Sequence, residues 1–83
     1  MGFPRLFRRR PAQPSDKNRV LHILYEEETA QTPLNVADSS GLSVERADSA
    51  LHILHEMGLV SRDETSFSYR LTEHGQRIAR RGR

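Results

Sequence analysis

At Gly58 the spacing of apolar residues changes from a helical period to a strand period, which places a β-ribbon directly after a helix. Before it, Val44, Ala47, Ala50, Leu51 and Leu54 recur at helical intervals and form the inward stripe of a helix that reaches Met57. After it, Leu59-Val60 is a short apolar run and Asp63-Glu64-Thr65-Ser66 a polar turn. Phe67, Tyr69 and Leu71 then alternate with Ser66, Ser68 and Arg70 as the second strand of a hairpin. Gly58 suits the junction because a residue without Cβ can leave a helix through the left-handed conformation.

The chain upstream supplies two more helices. Ser15 is a candidate cap for the first, with Asp16 favourably placed in its first turn, Val20, Leu21, Ile23 and Leu24 as its apolar face, and an end near Glu28. Gln31-Thr32-Pro33 breaks that helix. Asn35 then caps a short second one through Val36, Ala37 and Ser40, which Gly41 ends, and Ser43 caps the third. Downstream of the hairpin, Thr72 caps a last short helix whose apolar contacts are Ile78 and Ala79. Residues 1–14 contain three prolines and are expected to form a disordered or extended basic arm, residues 15–79 the folded domain and residues 80–83 a basic tail. With 83 residues, 35% of them hydrophobic, the chain allows one small core.

Three helices and a hairpin, with a short Gly-containing turn between the second and third helices, is the order of a winged helix-turn-helix of the α+β class. The run Leu51-His52-Ile53-Leu54-His55-Glu56-Met57-Gly58-Leu59-Val60-Ser61-Arg62, followed by Tyr69-Arg70-Leu71-Thr72-Glu73-His74-Gly75, resembles the winged-helix transcriptional regulators of bacteria and archaea, of the broad MarR/PadR-like kind. The resemblance covers about residues 15–79. It implies a small cytoplasmic regulator that binds double-stranded DNA as a homodimer, with the third helix (about 43–57) in the major groove and the wing and basic tails on the backbone.

In such a fold the third helix presents Ser43, Glu45, Arg46, Asp48, Ser49 and His52 outward. Arg46 is the best candidate for a base or phosphate contact, Ser43 and Ser49 are short hydrogen-bonding groups, and His52 adds a contact when protonated. Arg62 and Arg70 belong to the wing. Charge is segregated along the sequence: residues 1–14 carry a net +4 through Arg5, Arg8, Arg9 and Arg10, residues 70–83 carry +4 with Arg80 and Arg81 among them, and residues 15–69 carry −6. Arg8, Arg9, Arg10, Arg80 and Arg81 are therefore candidate phosphate contacts, although such runs also serve as solvated surface. Glu45 and Asp48 oppose this reading, because each repels phosphates unless it accepts from a cytosine amine or pairs with Arg46. Glu45 has a structural use as a first-turn acid, and the wing tip carries Asp63 and Glu64. The alternative is a winged-helix protein-interaction module whose outward face is acidic.

Other classes find less support. The chain has no cysteine, so disulfides, zinc ribbons and thiol catalysis are excluded and a reducing compartment is expected. His52 and His55 lie near each other on a helix, but no His-Glu-x-x-His motif accompanies them and no metal is expected. No Gly-rich phosphate loop is present, and Ser15, Ser43 and Asp16 already have roles at helix starts, so neither an enzyme nor a cofactor is expected. No apolar stretch approaches the length of a membrane span, and the Arg-rich start lacks the apolar segment of a signal peptide. Leu21-His22-Ile23-Leu24 recurs as Leu51-His52-Ile53-Leu54, yet the flanks differ, and the echo is read as coincidence between two amphipathic helices. Ile78 and Ala79 offer little dimer surface, so the first helix, or the arm through Phe3 and Phe7, would have to contribute.

Overall fold

The computed structural model describes residues 14–82; the expected arm, including Arg8, Arg9 and Arg10, therefore lies outside the described residues apart from Pro14. Pro14 opens the first helix, α1 (Pro14–Glu26), so Ser15 stands inside the first turn instead of capping it. A proline is tolerated in the first turn of a helix, where its missing N–H has no helical acceptor. The helix ends at Glu26, two residues earlier than the acidic run suggested.

The second helix, α2 (Pro33–Ser40), is capped by Thr32 and not by Asn35. Thr32 Oγ1 accepts from the Asn35 N–H at 3.1 Å, and Asn35 Oδ1 accepts from the Thr32 N–H at 3.3 Å, a reciprocal box in which Asn35 is the third helical residue. Gly41 ends α2 and Ser43 caps α3 (Val44–Glu56), its Oγ accepting from the Arg46 N–H at 3.1 Å. Val44 is exposed, contrary to its place in the expected stripe, which begins one turn later at Ala47. Helical angle assigns Val44 to the stripe, but among the described residues no neighbouring element covers it at the first turn of α3.

Gly58 takes a φ of 78°, as the change of period requires. The hairpin β1 (Val60–Asp63) and β2 (Ser68–Leu71) is antiparallel, with Val60 opposite Leu71 and Arg62 opposite Tyr69. Its loop is Glu64–Phe67, so Phe67 belongs to the turn and not to the inward face of the second strand. A four-residue loop leaves its last residue in the left-handed region, and Phe67 sits there with a φ of 56°. The connection between α1 and α2 adds a bridge that sequence patterning missed: the Gln31 N–H donates to Tyr69 O and the Tyr69 N–H to Gln31 O, both at 2.8 Å. One paired residue has no periodicity by which to find it.

Thr72 caps the last helix, α4 (Glu73–Arg81), and ties it to the start of the wing. Its N–H donates to Leu59 O at 3.0 Å, its hydroxyl donates to Gly58 O at 2.8 Å, and the same oxygen accepts from the Gly75 N–H at 3.0 Å. Gly75 is buried directly over Leu59, where a Cβ would fall 1.9 Å from the carbonyl oxygen. The helix runs through Arg81, so Arg80 and Arg81 project from its final turn. The core gathers Val20, Leu21 and Leu24 from α1, Val36 and Ala37 from α2, and Ala47, Ala50, Leu51 and Leu54 from α3, closed by Leu59, Val60, Tyr69, Leu71 and Ala79.

Two substitutions test this packing. Leu51, which has no exposure, should cost about 2–5 kcal/mol of unfolding free energy as Leu51→Ala in urea denaturation. Gly75→Ala adds one methyl against a backbone oxygen and should cost at least about 1–3 kcal/mol, whereas Gly82→Ala, whose added Cβ meets ordinary contact distances of 3.6 Å or more, should be neutral.

Candidate nucleic-acid interface

The outward surface of α3 follows from its inward stripe. Because Ala47, Ala50, Leu51 and Leu54 face the core, Ser43, Glu45, Arg46, Asp48 and His52 are exposed and Ser49 is half-buried. The structure thus leaves the expected α3 residues on its solvent side, all but His52 at the cap or in the N-terminal half of a helix that follows a short helix and a Gly41 turn.

Arg46 has a partner that no local pattern announced. Its Nε donates to Asp16 Oδ2 at 2.9 Å and its Nη2 to Asp16 Oδ1 at 2.7 Å, a two-point pair that joins the first turn of α1 to the first turn of α3. The Asp16 side chain is 3% exposed and that of Arg46 44%, so the carboxylate is enclosed while one edge of the guanidinium still meets solvent. The hydrogen bonds to Asp16, reinforced by its charge and opposed by partial desolvation, raise the Arg46 pKa above its ordinary value. Asp16 is thus an anchor for α3 as well as an acid at a helix start. The two residues are 30 apart in sequence, beyond any helical spacing rule.

With Arg46 held in this way, the outward face of α3 is dominated by Glu45, Asp48 and Glu56, all exposed. His52 Nε2 stands 3.2 Å from Glu56 Oε2, one helical turn away, so protonated His52 has a carboxylate beside it. On α1, Arg19 Nη1 donates to Ser40 O at 3.1 Å and ties α1 to the end of α2, next to the turn that introduces α3.

The wing arginines lie on opposite faces of the ribbon. Arg62 opposes Tyr69 and Arg70 opposes Ser61, and neighbouring residues of a strand alternate sides. Arg62 extends along the turn, its guanidinium carbon 5.8 Å from the centre of the Phe67 ring. The Asp63 carboxylate accepts from the Thr65 N–H at 3.0 Å within that turn. Arg70 borders a hollow on the wing together with Arg62, and also an open groove that it shares with Arg80 and with Leu24, Tyr25, Glu26 and Glu28, to which α3 contributes no residue. Among the described residues, no three His, Asp or Glu side chains stand close enough to hold a metal ion, and no helix is long and apolar enough to cross a membrane.

No family model matches the chain, and no curated protein matches it. Solved structures do. A MarR family protein of Mycobacterium tuberculosis superposes with a TM-score of 0.71 at 21% identity, over 80% of this chain and 48% of its own length. A MarR family protein from Bacillus stearothermophilus gives 0.71 at 25% identity, over 94% of this chain and 56% of its own. The fold of this chain is the MarR-type winged helix. ZitR of Lactococcus lactis, as a mutant in the apo form, gives 0.69 at 24% identity over 83% of this chain and 55% of its own. This MarR-like winged helix spans about half the length of those proteins. In the helix-turn-helix order, α2 is the first helix of the motif and α3 the second.

The Arg46–Asp16 pair has a measurable signature. Arg46→Ala should lower the urea midpoint more than Asp16→Asn, because asparagine keeps one oxygen to accept from Arg46, whereas alanine takes the whole guanidinium away from an enclosed carboxylate.

Proposed function

We propose that this chain is a small transcriptional regulator of the cytoplasm that binds double-stranded DNA. The α3 helix enters the major groove, and the wing and basic termini contact the backbone. The observation that carries the reading is a solvent-facing α3, presented at its N-terminal half by a two-turn α2 and a Gly41 turn, with a ribbon directly after it. The groove is about 12 Å wide and admits one helix. Ser43 and Ser49 supply hydroxyls to base edges or phosphates, His52 adds a donor when protonated, and Arg46 reaches out through the Nη1 edge that Asp16 does not engage. Arg62 and Arg70 approach the backbone from the two sides of the wing. Arg8, Arg9, Arg10, Arg80 and Arg81 supply salt-sensitive phosphate contacts, and two copies of the chain read paired half-sites as a homodimer.

A second reading rests on a specific observation as well. The exposed carboxylates of Glu45, Asp48 and Glu56, with Arg46 already engaged by Asp16, make α3 suitable for a basic protein partner. Titration of the full chain with random duplex at several salt concentrations separates the two. DNA binding predicts that log affinity falls linearly with log salt, and that replacing Arg8, Arg9, Arg10, Arg80 and Arg81 with glutamine makes the slope shallower by about 0.9 for each phosphate no longer neutralised. Absence of binding to any duplex at low salt would transfer the assignment to the protein-interaction module. Light scattering at tens of micromolar should return the mass of a dimer; a monomer would remove the paired-site component.

A further inference from the structure

The loop at the wing tip sets a left-handed residue at position 67, but neither that backbone nor the core accounts for a bulky aromatic there. Phe67 is 59% exposed, so its ring buries little against the core. Among the described residues it is the only non-glycine with a positive φ, 56°, a region where glycine or asparagine is at ease and a bulky aromatic is strained. The turn nevertheless holds it there. The Phe67 N–H donates to Asp63 O at 2.7 Å, and the neighbouring Ser66 and Ser68 hydroxyls meet at 2.7 Å. Arg62, on the first strand, rests 5.8 Å from the ring centre and keeps a cation beside the aromatic at the tip. Asp63, the acid nearest that cation in sequence, directs its carboxylate into the turn at the Thr65 N–H.

We propose that Phe67 is a stacking wedge for duplex DNA, entering the minor groove at the wing tip and lodging against base pairs while Arg62 follows it into the negative potential of the groove. This deepens the DNA-binding reading above and rests on it. An exposed ring beside a guanidinium on a narrow two-strand ribbon matches what a minor groove selects: an apolar wedge that stacks on or unstacks a base step, flanked by a cation that favours a narrow groove. Ring surface stays available beside Arg62, because Phe67 remains largely exposed with the guanidinium 5.8 Å from the ring centre. The ring adds affinity without neutralising a phosphate, so it differs from every arginine contact in its salt dependence.

The test compares wild type, Phe67→Gly and Phe67→Asn, all in the full chain, on a random duplex and on duplexes carrying 2-aminopurine at single positions. Both variants accept the left-handed backbone, so each should unfold at the same or a higher urea concentration than wild type. Each should bind duplex ~5- to 100-fold more weakly with an unchanged salt slope, the equivalent of losing one stacked base. Wild type should raise 2-aminopurine fluorescence at one step, and the variants should not. Variants that bind and unstack like wild type would overturn the wedge while leaving the DNA reading in place. Variants that lose stability would also overturn it, assigning the ring a structural role instead. If wild type itself binds no duplex, the DNA reading falls and the wedge falls with it.

Discussion

The carbonyl of Leu59 is the point on which the arrangement of this small domain depends. It accepts the Thr72 N–H, and the buried Gly75 lies against it, so the end of α3, the root of the wing and the start of α4 converge on one peptide unit. Thr72 completes the junction by donating its hydroxyl to Gly58 O while capping α4. The carbonyls freed where α3 stops are taken locally, Ile53 O by the Met57 N–H, Leu54 O by the Leu59 N–H and His55 O by the Gly58 N–H. Those of Gly58 and Leu59 are satisfied by Thr72 as the chain returns from the wing. A side chain at position 75 would separate α4 from the hairpin, and with them Ala79 from the core. This junction gives a physical meaning to the paired runs around Gly58 and Gly75: the first turns the chain out of a helix, and the second brings another helix close enough to touch it.

From that junction the outward position of α3 follows. Helix α3 is gripped on its inner side by α1 and α2 and at its C-terminal end by the wing, which leaves its polar side facing solvent. At its N-terminal end the restraint is electrostatic. An enclosed carboxylate costs several kcal/mol to desolvate, so Asp16 is tolerable only with strong donors, and the two-point geometry of Arg46 supplies them. The same contact limits what Arg46 can offer a ligand to one edge of its guanidinium. Orientation of α3 and the charge available on its surface are therefore coupled through one pair.

The parts of this architecture that were readable from sequence are those with local causes. The caps at Ser43 and Thr72, the stops at Gly41 and Gly58, and the change to period two each involve residues within a few positions of one another, and the structure has them in place. The departures arise where the deciding partner is distant or where an element ends. Val44 fits the helical stripe but lies beyond its cover. Phe67 continues the alternation of the second strand on paper, while the loop length places it in the turn. Asn35 has the chemistry of a cap, yet Pro33 starts the helix sooner and makes Thr32 the cap. The Asp16–Arg46 pair and the Gln31–Tyr69 bridge link segments more than 25 residues apart, and no spacing rule reaches that far.

The interface reflects the same division. The exposed residues of α3 could be named because an outward face is the complement of an inward stripe, but their electrostatic state could not, since it depends on a carboxylate from another helix. In the proposed DNA-binding role, an acidic α3 surface and cationic termini take different tasks. Phosphate attraction acts over roughly 8–10 Å at physiological salt, so in that role cations at the ends of the chain can draw a duplex in without lying on α3. Carboxylates on that helix then discriminate, since an acid beside a base edge is tolerated only where an amine can donate to it and is costly elsewhere. On such a surface affinity comes from the periphery and selectivity from repulsion at the centre. The Phe67 contact proposed at the wing tip, being insensitive to salt, complements both by holding the ribbon in register after the phosphate contacts have been screened.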